Sequence, residues 1–166
     1  MYKETDIVMH PRAGVCTIEA VRPETFTGTP RMYYVMRPLY ENTTTTIYVP
    51  TDSDKTKLRR LLSKDEILEL IHSVSLDVSL WIDNPLQRKE HFLQLVREGD
   101  HATLIRLIAE LHRHRLVSEK NGRKFHAADE KILKEAETCI HQEFAHALNL
   151  QVDEIAPFIM KELGLS

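Results

Sequence analysis

The sequence changes character near residue 62. Before this point, short runs of β-branched and aromatic residues alternate with Pro/Gly turns, which is typical of strands. After it, apolar residues recur at helical spacing. Each part of the 166-residue chain is large enough for one small module and too small to enclose a deep pocket. The pattern predicts an α+β chain of two modules, residues 1–62 and 63–166, and favours an adaptor over an enzyme.

The first module contains four runs with strand character and a short fifth. These are residues 6–9, 15–21, 32–36, 44–49 and 57–60. Five short strands bury a core and lose exposed edges most easily when they curl into a small barrel. We therefore expect an SH3-like or Tudor-like barrel, with Cys16 as a buried structural thiol in its second strand.

The second module carries strong helix boundaries. Ser63 and Glu66 form a capping box, Asn84-Pro85 begins a helix, and Gly99-Asp100 ends that helix and caps the next. Leu86, Leu93 and Val96 are the expected apolar stripe of the helix after Asn84. A longer helix is expected at residues 128–148 and a last one from residue 153. These signals predict a compact all-α domain of about five helices.

Little in the sequence points to catalysis. His112 and His114 are two residues apart and face different sides of a helix, and there is no Cys-x-x-Cys pair for zinc. Five glycines leave little material for a phosphate-binding loop. We expect no catalytic residue, no metal, no cofactor and no small-molecule substrate. Two distant cysteines and the lack of a long apolar run predict a cytoplasmic protein that makes no membrane contact.

Charge is distributed unevenly along the second module. Residues 88–124 contain nine Lys/Arg and five Asp/Glu, a balance of +4, whereas residues 125–166 contain three and eight, a balance of -5. The net charge of the chain is -3, so the basic segment lies within an acidic protein. Such a segment indicates either a surface that faces a polyanion or an ordinary solvated helix face.

The order of these motifs resembles the CarD/CdnL family of bacterial transcription regulators, whose N-terminal module is shared with transcription-repair coupling factors. The similarity begins in residues 6–21 and continues through the Gly28 turn, residues 33–36 and residues 47–50. In the second module it rests on Trp81, Arg88, Phe92, Gly99-Asp100 and the apolar helix to Leu111. Three later segments continue it: Asp129-Glu130, Ala136-Glu137 and Glu143-Phe144-Ala145. The resemblance spans nearly the whole chain.

This resemblance implies a Tudor-like module that binds the β-subunit lobe of RNA polymerase, largely through an edge strand. It also implies a helical domain that contacts promoter DNA at the upstream edge of the transcription bubble, with little dependence on sequence. In the family a tryptophan wedges into the minor groove and basic residues hold the backbone, which stabilises the open complex. The expected location is the cytoplasm, in association with the nucleoid.

Carried onto this chain, the resemblance assigns the wedge to Trp81 and the nearest phosphate contacts to Arg88 and Lys89. Further basic candidates for DNA binding follow in the same module: Arg113, Arg115, Arg123 and Lys124. The alternative for Trp81 is that it plugs the joint between the modules.

On the polymerase side, the family often places arginines where this chain has Glu24 and Tyr48. Other arginines of the module would then have to take over the contact. The candidate polymerase-binding residues are Arg22, Tyr34, Arg37, Ile47 and Tyr48, on strands suited to β-augmentation. Because strand alternation turns every second side chain inward, half of these residues could instead fill the barrel.

A second functional class stays open on the sequence alone. A protein–protein adaptor would keep the barrel, use the helical module to bind another protein and make no DNA contact. The acidic net charge and Asp83, directly after Trp81, favour this alternative. Trp81 itself and the basic segment favour DNA binding.

Overall fold

The computed structural model describes residues 1–42 and 44–165, so Thr43 and Ser166, which fall within the predicted modules, lie outside the described residues. The chain divides into two compact units, residues 1–62 and 63–166. Within residues 1–42 and 44–165, the first contains five β-strands and the second five α-helices, which confirms the predicted α+β fold class. Among the described residues, no helix has the length and apolar character needed to cross a membrane.

The N-terminal unit is one antiparallel sheet of five strands in the order β4-β3-β2-β1-β5. The strands are β1 (Ile7–His10), β2 (Gly14–Glu24), β3 (Arg31–Pro38), β4 (Ile47–Pro50) and β5 (Arg59–Arg60). A register shift between Ile18 and Ala20 marks a bulge in the long strand β2. Bulges bend a strand, which allows this one to take part in a strongly curved sheet.

The two ends of the sheet contribute to the same apolar core. Val8, Cys16, Ile18, Tyr34, Met36 and Val49 are buried together, and Leu58, just before β5, packs against them. Side chains from β4 and from the approach to β5 therefore meet under the sheet. Strand β4 remains at the end of the strand order and pairs with β3 alone among the described strands.

Strand β4 is shorter than the sequence indicates. The prediction of a strand over residues 44–49 is wrong in its first half, since β4 begins at Ile47 and runs to Pro50. Ile47 pairs with Met36 of β3, and this is the first pair of the β3–β4 ladder. Thr44, Thr45 and Thr46 have high β-propensity, but they lie outside the strand.

The helical unit contains α1 (Lys64–Ser73), α2 (Pro85–Glu98), α3 (His101–Lys120), α4 (Ala127–Leu148) and α5 (Ile155–Glu162), the last preceded by a 3-10 turn at Val152–Glu154. Side-chain oxygens of Ser63, Asn84 and Asp100 accept from backbone N–H groups in the first turns of α1, α2 and α3. Gly99 ends α2 in a left-handed conformation, with φ of 68°. Asp100 follows at once, so α2 and α3 are joined by a tight corner.

The core of the helical unit lies between α3 and α4, with Leu104, Leu107, Ile108 and Leu111 buried as their spacing predicts. The predicted stripe of α2 is wrong at its first position, because Leu86 is 67% exposed. The buried side chains of α2 are Arg88 and Phe92. The charged side chain of Arg88 therefore lies on the inner face of α2, where Asp129 forms an ion pair with it.

Candidate functional site

Trp81 lies in the segment between α1 and α2, half-buried against the helical unit. Its indole ring stacks on the imidazole of His114, with 3.5 Å between centroids and 9° between planes. It meets the ring of Phe92 edge-on at 6.2 Å. The guanidinium carbon of Arg88 lies 4.2 Å from its centroid, in a cation–π contact. Trp81 is thus seated on residues of α2 and α3 of its own unit.

Arg88 does not present its charge to solvent. Only 5% of the residue is exposed, and its Nε and Nη2 donate to the two carboxylate oxygens of Asp129 at 3.0 and 2.8 Å. Nη1 donates to the backbone carbonyls of Ile82 and Asp83 at 2.8 and 3.2 Å. The prediction that Arg88 contacts a DNA phosphate is therefore wrong for this conformation. Its fork of donors is already occupied by a buried bidentate ion pair and two carbonyls.

A second set of contacts fixes the same segment to α3. The backbone N–H of Trp81 donates to Ser79 Oγ at 3.1 Å, and the Ser79 hydroxyl donates in turn to the buried carboxylate of Glu110. His114 Nε2 lies 3.4 Å from the same Glu110 oxygen. We refer to Trp81, Arg88, Glu110, His114 and Asp129 as the Trp81 cluster. In it the indole contacts both a buried ion pair, through Arg88, and the imidazole of His114.

The other basic candidates stand in different situations. Lys89, Arg113, Arg123 and Lys124 are exposed. Arg115 is partly buried and donates to His112 Nδ1 at 2.8 Å. Arg113 and His114 line a surface pocket of about 320 Å³, so Arg113 lies beside the Trp81 cluster. Arg123 and Lys124 lie in the connection between α3 and α4. Lys89 and Arg113 are exposed and adjoin in sequence Arg88 and His114, the two side chains that lie against the indole ring.

The N-terminal unit carries an aromatic patch that sequence reasoning identified only in part. Phe26, Tyr33 and Tyr48 meet edge-to-face, with centroids 5.1 Å apart for Phe26–Tyr33 and 4.9 Å for Phe26–Tyr48. Phe26 is 56% and Tyr48 39% exposed, while Tyr33 is buried between them. The sequence analysis did not include Phe26, which lies in a turn, or Tyr33 among the binding candidates. Side chains alternate along a strand, so an inward Tyr34 implies an outward Tyr33.

Two of the predicted polymerase-binding side chains belong to the core instead. Tyr34 is 5% exposed and its hydroxyl accepts from the backbone N–H of Tyr2 at 3.2 Å, so its assignment to the contact surface is wrong. Ile47 is partly buried and packs against the same core. On β4 the side chains of Ile47 and Val49 turn inward, whereas Tyr48 between them turns outward.

Arg22 and Arg37 lie on the outer face of the sheet with Tyr48. Arg22 is paired across strands with Tyr33, and Arg37 lies four residues beyond Tyr33 on the same strand. Each is exposed and each is already in an ion pair, Arg22 with Glu24 and Arg37 with Glu19, both at 2.7 Å. The carboxylate of Glu24 raises the pKa of the Arg22 guanidinium further. The outer face is therefore aromatic, with charges that are locally balanced.

Three other titratable residues of the helical unit, His112, Glu137 and His141, contact one another. Glu137 accepts from His112 Nε2 at 2.8 Å, and His141 Nε2 lies 3.5 Å from the other oxygen of the same carboxylate. Burial lowers the pKa of His141, which disfavours its protonation. No group of three or more His, Cys, Asp or Glu suited to a metal ion occurs among residues 1–42 and 44–165.

Comparison with known families gives one match. Residues 2–62 match the model of the CarD-like/TRCF RID domain, which covers the N-terminal unit almost completely. No curated protein sequence matches the chain. The match includes the outer face with the aromatic patch and strand β4, and it ends before the helix that follows Ser63.

Proposed function

Residues 2–62 belong to the CarD-like/TRCF RID domain family, and on that premise we propose that the chain is a transcription regulator that stabilises the promoter open complex. The family is one of RNA polymerase-interacting domains, so RNA polymerase is the partner of the N-terminal unit. The helical unit reaches promoter DNA in the same complex. The site of action is accordingly the nucleoid.

The polymerase contact in this proposal is the β-subunit lobe, bound by strand β4 and the outer face of the sheet. Strand β4 ends the strand order and can accept a partner strand by β-augmentation. Tyr48 projects from β4 beside Phe26, and exposed aromatic side chains are typical anchors of protein interfaces. Arg22 and Arg37, exposed on the same face, lie around this anchor.

The DNA contact rests on one observation, the partly exposed indole of Trp81 held against Arg88 of α2 and His114 of α3, whose sequence neighbours Lys89 and Arg113 are exposed basic residues. An aromatic wedge gains stacking where base pairing has been lost at the edge of a bubble. Lys89 and Arg113 add phosphate contacts, and each neutralised phosphate releases counterions. Arg115, Arg123 and Lys124 extend this basic surface along α3 and its following loop.

The consequence for transcription is a population shift. A protein that binds the open complex more tightly than the closed one lengthens the lifetime of the open state without any chemical step. A tenfold longer lifetime corresponds to about 1.4 kcal/mol of differential binding, which one aromatic contact and a few phosphate contacts can supply. This function requires no cofactor.

A second candidate is a protein–protein adaptor that binds polymerase and makes no DNA contact. The exposed Asp83 favours it, because a carboxylate next to Trp81 repels phosphate. The burial of Arg88 favours it as well, because it removes one positive charge from the expected DNA surface.

The experiment that separates the two is the lifetime of an open complex on a promoter from the same organism. It is measured with no added protein, with the wild type and with Trp81→Ala, and a pull-down monitors polymerase binding. DNA contact predicts a longer lifetime that depends on Trp81, with equal polymerase capture by both proteins. An unchanged lifetime together with retained capture would refute the wedge mechanism and support the adaptor.

A further inference from the structure

Arg88 connects its own helix, α2, with the start of α4 and with the segment just before α2. Its guanidinium is held by Asp129, which lies 41 residues away in the first turn of α4. The same group donates to the carbonyls of Ile82 and Asp83, the two residues that follow Trp81, and lies over the indole ring. A continuous path of polar contacts therefore runs from α4 to the segment that carries the tryptophan.

We propose that Arg88 and Asp129 are positioning residues for Trp81, which set the orientation in which its indole is offered to DNA. This inference rests on the proposed function, because it assigns the orientation a role in DNA binding. Arg88 acts on the neighbouring segment and the ring, and contacts no DNA itself.

The chemistry of the two side chains suits this role. Four of the five guanidinium donors are in use, one from Nε, one from Nη2 and two from Nη1. The side chains of Arg88 and Asp129 are 6% and 3% exposed, which limits screening by salt. Lysine cannot reproduce this set of contacts, because it offers a single ammonium in place of a planar fork.

Positioning of this kind increases affinity because it reduces the conformational entropy that the tryptophan loses on binding. A tryptophan whose backbone and ring are already fixed loses little conformational freedom when it meets DNA. The contacts of Trp81 with Ser79 and His114 fix the segment from the α3 side in the same way. If the Arg88 contacts are lost, the indole keeps its place in the sequence but samples other orientations.

The free protein provides a direct test, because Trp81 is its only tryptophan and excitation at the red edge of the absorption band selects it over the five tyrosines. Time-resolved anisotropy and acrylamide quenching measure the mobility of the indole and its access to solvent. We expect Arg88→Lys and Asp129→Asn to raise the quenching constant about twofold and to add a fast component to the anisotropy decay. Lys89→Ala is the matched control on the same helix, and it should leave both readings at the wild-type values.

A double variant separates loss of positioning from two other effects, which are misfolding and loss of a phosphate contact made by Arg88 itself. Arg88→Met combined with Asp129→Leu replaces the buried pair with apolar side chains of similar volume, an exchange that folded proteins often tolerate. Binding is measured to a promoter fragment with a premelted bubble, across a range of salt concentrations. We expect affinity about 3- to 10-fold weaker, an unchanged salt slope and a mobile indole.

Two results would overturn the inference. One is wild-type indole mobility in Arg88→Lys and in the double variant. The other is a salt slope lower by about one in the double variant, which would place Arg88 on a phosphate. Failure of the proposed function is distinguishable, because Trp81→Ala would then bind the premelted fragment as tightly as the wild type. The mobility of the indole in the free protein would still decide whether Arg88 and Asp129 position it.

Discussion

His114 lies flat on the indole of Trp81, with 3.5 Å between ring centroids and 9° between the ring planes. The stack covers one part of the ring surface that an unpaired base would otherwise occupy. Under the proposed function, a wedge built this way would meet DNA with its remaining exposed edge, or would exchange the imidazole for a base. In either case the tryptophan would contribute both to the fold and to the proposed contact, and the two contributions can be measured separately.

Trp81→Ala should remain folded and lose about 1–3 kcal/mol of unfolding free energy. The loss is moderate because the side chain is half-buried, while the core residues Phe92 and Phe144 stay fully enclosed. Trp81→Phe, which keeps an aromatic ring against His114, should recover part of it. Urea denaturation followed by circular dichroism gives both values. An unfolded Trp81→Ala protein would place the residue in the core rather than at a binding site.

Substitution of Lys89 or Arg113 by alanine should lower the salt dependence of promoter binding by about one unit of slope each. Both side chains are exposed near the Trp81 cluster, so each can neutralise one phosphate. Lys161→Ala on α5 is the matched control, an exposed charge that belongs to neither proposed surface. Fluorescence titrations at several potassium concentrations give the slopes. Equal slopes for Lys89→Ala and the wild type would remove Lys89 from the DNA contact.

Tyr48→Ala and Phe26→Ala should each weaken binding to RNA polymerase, by about 1–2 kcal/mol or roughly 5- to 30-fold. Each removes an exposed ring from the aromatic patch without opening the core of the sheet. Tyr34→Phe is the control, because its ring is buried and only its hydroxyl contact with Tyr2 is lost. Surface plasmon resonance with immobilised polymerase provides the affinities. If Tyr34→Phe weakened binding as much as Tyr48→Ala, the outer face would not be the contact.

Acidification should destabilise the turn between β1 and β2. The backbone N–H groups of Arg12 and Ala13 both donate to His10 Nδ1 at 3.1 Å, which requires that nitrogen to be unprotonated. Burial, and then the nearby Arg12 charge, lower the pKa of His10 below its ordinary value of 6.5. Below about pH 6.5 the unfolded chain binds more protons than the folded one, so the unfolding free energy falls as the pH falls.

The comparison that isolates His10 is His10→Asn, whose side-chain oxygen accepts without titrating. The unfolding free energy of wild type and variant is measured from pH 8 to pH 5. The unfolding free energy of the variant should fall less steeply with decreasing pH, because the contribution of His10 is gone. The fall that remains comes from other histidines such as His141, whose pKa is also lowered by burial. Identical slopes in the two proteins would show that His10 is protonated without cost in the folded state.

The two thiols should differ in reactivity. Cys16 is fully buried in the β core, and burial, with a smaller effect of Glu41, raises its pKa to about 11. Cys139 is exposed on α4. At pH 8 about one thiol per chain should therefore react with an aromatic disulfide reagent in the folded protein, and none in Cys139→Ser. Rapid labelling of Cys16 in the native state would contradict the burial of its strand.

Local signals in the sequence predict the helix boundaries well. Ser63, Asn84 and Asp100 cap helices because a short polar side chain satisfies N–H groups only three residues away. Gly99 ends α2 because it enters the left-handed region at no steric cost. Each of these helix ends is determined by residues within one turn of backbone. The groups that form each cap can therefore be identified from the local sequence alone.

Long-range partners explain what could not be predicted. Arg88 reads as a surface charge until Asp129, 41 residues later, is known to face it. Once that pair occupies the inner face of α2 together with Phe92, Leu86 lies on the solvent side. For the same reason residues 44–46 read as strand, although the ladder with β3 begins only at Ile47. Propensity depends on the residue type alone, whereas burial and strand pairing depend on residues that are distant in sequence.

Strand β4 also has a consequence for the protein when it is not engaged. An open sheet edge with an outward aromatic side chain is a template for any extended chain, including a second copy of the same protein. The strand is only four residues long and ends at Pro50, which has no N–H to donate. Its brevity limits the ladder that a wrong partner could build. The short edge thus carries only a modest risk of aggregation, whether or not RNA polymerase binds it as proposed.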